Sequence, residues 1–191
     1  MRGADPSDDR RWVDACLAGD ADAFSQLLSR YETMVYNLVL RIVHQREEAQ
    51  DITQEAFLNA YTHLADYDPQ RPFVAWILGI ARNQALYRLR GLKRREVASD
   101  TIEEQGTPAA DCDTARRAEL KELEREVLRC LDSLPEKYRT VLVLRHMLER
   151  TYQEISDALS MNLGTVKTNI HLGRKQLREQ LERLSLVDPG R

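Results

Sequence analysis

The chain has 191 residues, 42% of them hydrophobic and 31% charged, with a formal net charge of −3. That length admits one medium domain or two small ones, and the scarcity of aromatics, glycine and proline favours helices over strands. No apolar run approaches the roughly 18 residues that a bilayer crossing needs, and the polar, acidic start MRGADPSDDRR lacks a signal-peptide core, so no membrane insertion is expected and a cytoplasmic location is.

Phe24, Leu27, Leu28, Tyr31, Val35, Leu38, Val39 and Ile42 recur at steps of three and four, one buried face of a long helix. Asp51 to Leu64 continues the pattern through Ile52, Ala56, Phe57, Ala60 and Tyr61. Asp66-Tyr67-Asp68-Pro69-Gln70-Arg71-Pro72 reads as a loop, because two prolines and two aspartates oppose a helix. Phe73, Trp76, Ile77, Ile80 and Ala81 begin the next helix, which runs to about Arg90. From Glu96 to about Thr114 there is no apolar period but many small and acidic residues, the composition of a flexible linker.

Helix resumes near Ala115 with the stripe Leu120, Leu123, Val127, Leu128 and Leu131, and breaks at Leu134-Pro135. Pro135 suits the opening turn of a helix carrying Tyr138, Val141, Leu142 and Leu144. Thr151-Tyr152-Gln153-Glu154 matches a capping box. Ile155, Ala158 and Leu159 follow, then a break at Ser160 to Gly164, then a long helix marked by Val166, Ile170, Leu177, Leu181 and Leu184. A short helix, a tight turn and a basic second helix form a helix-turn-helix layout. The fold class is therefore all-α: two small helical domains, 1–95 and 115–186, joined by the acidic linker 96–114, with the helix-turn-helix in the second.

The charge is segregated. From Arg82 to Arg95 and from Asn162 to Arg178 every charged residue is basic, whereas Glu96 to Ala115 carries only acids. In a helix-turn-helix the start of the second helix enters the major groove. Val166 and Ile170 should face inward there, leaving Lys167, Thr168 and His171 for base edges and Arg174, Lys175 and Arg178 for phosphates. The earlier basic stretch differs. A loop bearing Tyr67 precedes Phe73 and Trp76, then Arg82, Asn83, Tyr87, Arg88 and Arg90. Aromatics interleaved with cations suit single-stranded DNA, and a neighbouring loop can hold an unstacked base. Phe73 and Trp76 fit ordinary core equally well. Asp51, Gln54, Glu55 and Asn59 share one helix face; with no histidine or glycine-rich phosphate loop nearby, they suit solvent or a docking partner better than catalysis. The three cysteines, Cys16, Cys112 and Cys130, are dispersed and odd in number, and the four histidines form no ligand pattern, so no catalytic residue, metal or cofactor is expected.

These segments, in this order, resemble the extracytoplasmic-function branch of the sigma-70 family over nearly the whole chain outside the termini and linker. The resemblance is carried by Gly19 to Phe24 with Leu27, Leu28 and Tyr31; by Glu48 to Tyr61; by Pro72 to Ile77 with Ile80 to Asn83; by Leu134 to Arg139; by Thr151 to Ile155; and by Gly164 to Thr168. It implies an alternative sigma factor that binds core RNA polymerase, directs it to promoters and assists opening. Asp51, Gln54, Glu55 and Asn59 would grip the coiled-coil clamp of the polymerase's largest subunit. The loop Tyr67, Asp68, Gln70, Arg71 would capture a flipped minus-ten base, and Trp76, Arg82, Asn83, Tyr87 and Arg88 would hold that element. Thr165, Lys167, Thr168 and His171 would read the minus-thirty-five element, with Arg174 and Lys175 on the backbone. The second domain would also dock on the polymerase flap, the linker would thread toward the RNA exit path, and an anti-sigma factor is an implied partner. Two departures stand out: Leu172-Gly173 replaces a common Arg-Ala, and Glu149 replaces a common Gly before the capping box.

Two rivals make different demands. A two-domain helix-turn-helix regulator with a helical sensing half needs no polymerase grip. An enzyme using Asp51 and Glu55 needs them in a pocket rather than on an exposed face. Net charge −3 and separately joined reading heads predict weak promoter binding by the free chain.

Overall fold

The computed structural model describes residues 6–96 and 115–184, and side chains over 7–91 and 122–184. The expected linker, Cys112 and the tail after Leu184 lie outside the described residues, apart from Glu96 at the end of a helix.

The first half holds four helices: α1 (Pro6–Leu17), α2 (Asp22–Val43), α3 (Arg46–Thr62) and α4 (Phe73–Glu96), with a 3-10 turn at Leu64–Asp66. The α2 stripe reads as anticipated except at Leu28: Phe24, Leu27, Tyr31, Val35, Leu38, Val39 and Ile42 are buried, whereas Leu28, next to Leu27 and so about 100° round the helix, is 37% exposed. They meet Ile52, Ala56 and Ala60 of α3 and Phe73, Ile77, Ala81 and Ala85 of α4. The alanines on α3 and α4 leave room for close helix approach. The Asp20 carboxylate accepts from the backbone N–H groups of Asp22 and Ala23 at 3.1 and 3.3 Å, capping α2. His44 ends it in the left-handed region at φ 62°.

Helix α1 has no counterpart in the sequence expectations. It is held by a short apolar contact, Trp12, Val13 and Cys16, and by a polar anchor. Asp9, only 5% exposed, accepts from Arg30 at 2.7 Å and from the Tyr31 hydroxyl. Arg30 also stacks on Trp12, 4.2 Å from the ring centroid. Burial first, then Asp9, raises the Tyr31 pKa, so its hydroxyl stays a donor. Asp9→Asn should therefore lower stability by about 1–2 kcal/mol: Arg30 keeps Asp8 at 3.2 Å but loses its shorter ion pair, and the Tyr31 hydroxyl loses a charged acceptor. Urea denaturation monitored by circular dichroism would show the shifted midpoint.

The second half holds α5 (Ala115–Ser133), α6 (Glu136–Leu142), a π-helical turn at Val143–Met147, α7 (Tyr152–Leu159) and α8 (Leu163–Arg183). Its core is Val141, Leu142, Leu144, Ile155, Val166 and Ile170. The capping box is complete: Thr151 Oγ1 accepts from the Glu154 N–H at 3.1 Å, and Glu154 Oε2 accepts from the Thr151 N–H at 2.7 Å. Ser160 ends α7 at φ 51°, and Asn162 Oδ1 accepts from the Thr165 N–H at 2.7 Å to start α8. Both family departures acquire physical content here. Glu149 sits at φ 55°, where glycine costs nothing. At Gly173 a Cβ would lie 3.1 Å from Leu142 Cδ1 and 3.2 Å from Tyr138 Cβ. The glycine is thus where α8 presses closest on α6.

The halves are packed against each other, α4 lying on α7 and α2 touching α6. Polar contacts line this seam: Arg82 with Glu136 at 2.9 Å, Arg41 with Asp132 at 3.4 Å, and Arg139 Nη1 with His44 Nε2 at 3.3 Å.

Candidate nucleic-acid interface

Helix α3 presents Asp51, Gln54 and Glu55 to solvent, with Asn59 half-buried one turn on. Packed beside it, α4 turns Ile80, Asn83, Gln84 and Tyr87 the same way. Between them lies an open cleft of about 430 Å³ lined by Glu55, Asn59, Ile80, Asn83, Gln84, Tyr87 and Arg88. Residues assigned from sequence to two different partners thus share one surface. They are joined by charge: Arg88 reaches Glu55 at 2.8 Å and Glu48 at 3.5 Å. Tyr87 is 79% exposed. An aromatic left in water beside a cation has no packing reason to be there, but it is a ready stacking platform.

The loop before α4 is built on aromatics. Tyr67 lies 5.7 Å from Phe73 and 5.3 Å from Trp76, ring centre to ring centre. Phe73 is 1% exposed and belongs to the core, whereas Trp76 is half-buried at the edge of the cluster. Burial pushes the Tyr67 hydroxyl up to about 12, with Asp9 and Asp68 adding to it. Asp68 Oδ1 accepts from the Gln70 N–H at 2.9 Å, and Asp68 pairs with Arg71 at 3.6 Å, fixing the turn. Asp68, Gln70 and Arg71 remain exposed. Arg82 departs from the group: its side chain, 14% exposed, faces the second half and Glu136.

On α8, Val166 and Ile170 are buried, while Thr165, Lys167, Thr168, His171, Arg174 and Lys175 are exposed. The Thr165 hydroxyl donates to Asn162 Oδ1 at 2.9 Å and so completes the cap. The Arg174 guanidinium donates through Nε and Nη2 to His146 Nε2, at 3.2 and 3.0 Å.

Comparison with known proteins places this arrangement. Sigma-70 region 2 matches residues 27–95, and Sigma-70 region 4 matches residues 124–177. The ECF RNA polymerase sigma factor SigW of Bacillus subtilis is 37% identical over 173 residues, covering 87% of this chain and 92% of SigW. The chain belongs to the extracytoplasmic-function RNA polymerase sigma factors. It is an alternative sigma factor that directs RNA polymerase to promoters. The RNA polymerase sigma-H factor of Pseudomonas aeruginosa is 33% identical over 183 residues, covering 92% of this chain and 95% of the relative. Among solved structures, that of CnrH in complex with the cytosolic domain of CnrY aligns with TM-score 0.68 at 25% identity, over 92% of this chain and 98% of CnrH. RpoE from Bartonella quintana, solved with the anti-sigma factor NepR, shares the fold with TM-score 0.69 at 19% identity, over 83% and 96% of the two chains. Among the described residues of this sigma factor, no group of three or more potential ligands is placed to hold a metal, and no helix is long and apolar enough to cross a membrane.

Sequence reading alone does not find His146, Glu48 or Gln84. His146 stands 28 residues before the arginine it orients, and no local spacing links them. Burial first, then the charges of Arg174 and Arg145, lowers the His146 pKa from 6.5. The sign follows from the bond: only neutral imidazole can accept from Arg174. In an NMR titration His146 should titrate below 6.5, and Arg174→Ala should move its midpoint upward.

Proposed function

We propose that this sigma factor divides its work among three surfaces, with region 2 on residues 1–95, region 4 on 115–186 and the linker 96–114 between. Asp51, Gln54, Glu55 and Asn59 grip the coiled-coil clamp of the largest polymerase subunit, and region 4 docks on the flap. Tyr67, Asp68, Gln70, Arg71, Trp76, Asn83, Tyr87 and Arg88 hold the unpaired minus-ten strand, with Arg82 joining once Glu136 releases it. Thr165, Lys167, Thr168 and His171 read the minus-thirty-five duplex, and Arg174 and Lys175 hold its phosphates. The solvent-exposed ring of Tyr87 carries the minus-ten assignment.

The chain performs no covalent chemistry in this reading. Contacts to duplex at one end and to captured bases at the other offset the cost of opening DNA. It works in the cytoplasm, as a protein that meets polymerase there must. An anti-sigma factor holds it inactive; CnrH and the Bartonella RpoE were each solved bound to another protein, the latter to an anti-sigma factor. Asp51 is exposed outside the cleft and Glu55, though it borders the open cleft, is itself exposed, which favours docking over an enzyme's pocket.

The test is reconstituted transcription. Core polymerase with the purified chain should yield discrete transcripts from fragments that core alone does not use. If the chain adds no transcript and only binds duplex DNA, the helix-turn-helix regulator becomes the better account.

A further inference from the structure

We propose that Leu172 is a specificity-determining residue whose side chain packs on the 5-methyl group of one thymine in the minus-thirty-five duplex, an inference that rests on the assignment of α8 as the helix reading that element. Val166, Ile170 and Gly173 of α8 are buried, and Leu177 packs against the same core. Gly173 fixes how the helix is turned, because a side chain there would crowd Leu142 and Tyr138. At about 100° per residue, the direction away from this buried side falls near Thr168 and Lys175. Two flanks run along the outward face. Lys167, His171 and Arg174 line one, spaced four and three apart. Thr165, Thr168 and Leu172 line the other, spaced three and four apart, with Leu172 only about 40° round from Thr168.

The flanks differ in chemistry. The first is cationic, and its Arg174 is aimed by His146. The second has little to donate. The Thr165 hydroxyl gives its proton to Asn162 Oδ1 at 2.9 Å, where it completes the cap of α8. Leu172 is apolar and 36% exposed. It also stands where the family commonly has arginine, so a guanidinium that could bond a base or a phosphate is absent from this position. The surrounding charge indicates what covers the leucine. From Asn162 to Arg178 the chain carries Lys167, Arg174, Lys175 and Arg178 and no acid, a surface suited to a polyanion. In the major groove adenine, guanine and cytosine present hydrogen-bonding groups, and thymine alone adds a methyl. A leucine set against the first three would strip water from a polar edge and return no bond. Against thymine it buries the methyl and leaves O4 free. Leu172 thus selects thymine by an apolar contact.

Uracil is thymine without that methyl, so it isolates the contact. A promoter fragment is selected from a random duplex pool by the wild-type holoenzyme. Deoxyuridine then replaces each thymine of its minus-thirty-five half in turn, and holoenzyme affinity is read by fluorescence anisotropy. The wild type should lose about fourfold at one position, as for one buried methyl. Leu172→Ala, shown to be folded by circular dichroism, should bind the thymine and uracil forms of that position equally. Leu172→Met, which keeps an apolar side chain of similar size, should keep the discrimination. A uracil scan that is flat in the wild type, while base-pair changes in the element still weaken binding, would overturn the contact and leave the reading of α8 standing. The same would follow from a uracil loss of equal size in Leu172→Ala, or from a selected element with no thymine in that half. Binding indifferent to every base-pair change in the element would sink the assignment of α8 itself, and the thymine contact with it.

Discussion

Replacing Gln54 and Glu55 together by alanine should weaken association with core polymerase by about a hundredfold or more while leaving the fold intact. Both side chains are exposed on α3, and the helix is held by Ile52, Ala56, Phe57 and Ala60 on its other face. Residues at the centre of a docking patch commonly cost about 2 kcal/mol or more each on truncation. Leu58, 67% exposed four residues beyond Gln54, supplies the apolar centre that such a patch needs. Glu55 has a second attachment, because it holds Arg88 at 2.8 Å. The double variant therefore also removes the shorter of two ion pairs of Arg88, beside the minus-ten surface, leaving Glu48 at 3.5 Å. Gln54→Ala alone separates the effects: it should lower polymerase affinity without altering DNA binding. Fluorescence anisotropy with labelled chain and purified core would measure both variants, with circular dichroism confirming the fold.

Tyr87→Ala should reduce promoter opening by the holoenzyme about thirtyfold without changing its affinity for core. Base–aromatic stacking contributes about 1–3 kcal/mol per base, and no buried contact is lost when so exposed a ring is removed. Thermal stability should therefore stay within about 0.5 kcal/mol of wild type. Tyr87→Phe should retain most of the activity, since stacking needs the ring and not the hydroxyl. Permanganate footprinting of unpaired thymines would follow opening directly. Loss with phenylalanine as large as with alanine would point to hydrogen bonding by the hydroxyl instead.

How much of this is legible in the chain depends on the range of the interaction. The α2 stripe, the Thr151 capping box and the Val166–Ile170 inward pair are local patterns, and each appears where spacing alone places it. Helix α1 escapes because its apolar face is only Trp12, Val13 and Cys16, and its polar anchor is a buried carboxylate meeting Arg30 and Tyr31 more than twenty residues away. Helix α4 runs to Glu96 rather than about Arg90; its last turn is strongly basic and carries no periodic apolar signal. Gly173 reads from sequence only as a departure from the family's alanine, yet it is where Leu142 and Tyr138 crowd the space a side chain would take. The seam is the least legible feature. Arg82, Asp132 and Glu136 form no sequence pattern, and only the packing of α4 on α7 brings them together. The candidate surfaces divide in the same way. Tyr87 and Lys167 could be singled out because helical spacing leaves them without an apolar role. The Arg88–Glu55 pair, which joins the polymerase and promoter surfaces, depends on how α3 lies against α4.

The most direct test of the central claim is equilibrium binding of the wild-type chain to bacterial core RNA polymerase, with the Gln54→Ala, Glu55→Ala variant alongside. The account predicts tight association by the wild type and its loss in the folded double variant. Equal binding by the two would remove the α3 face from the docking surface, and absence of binding by the wild type would contradict the account as a whole.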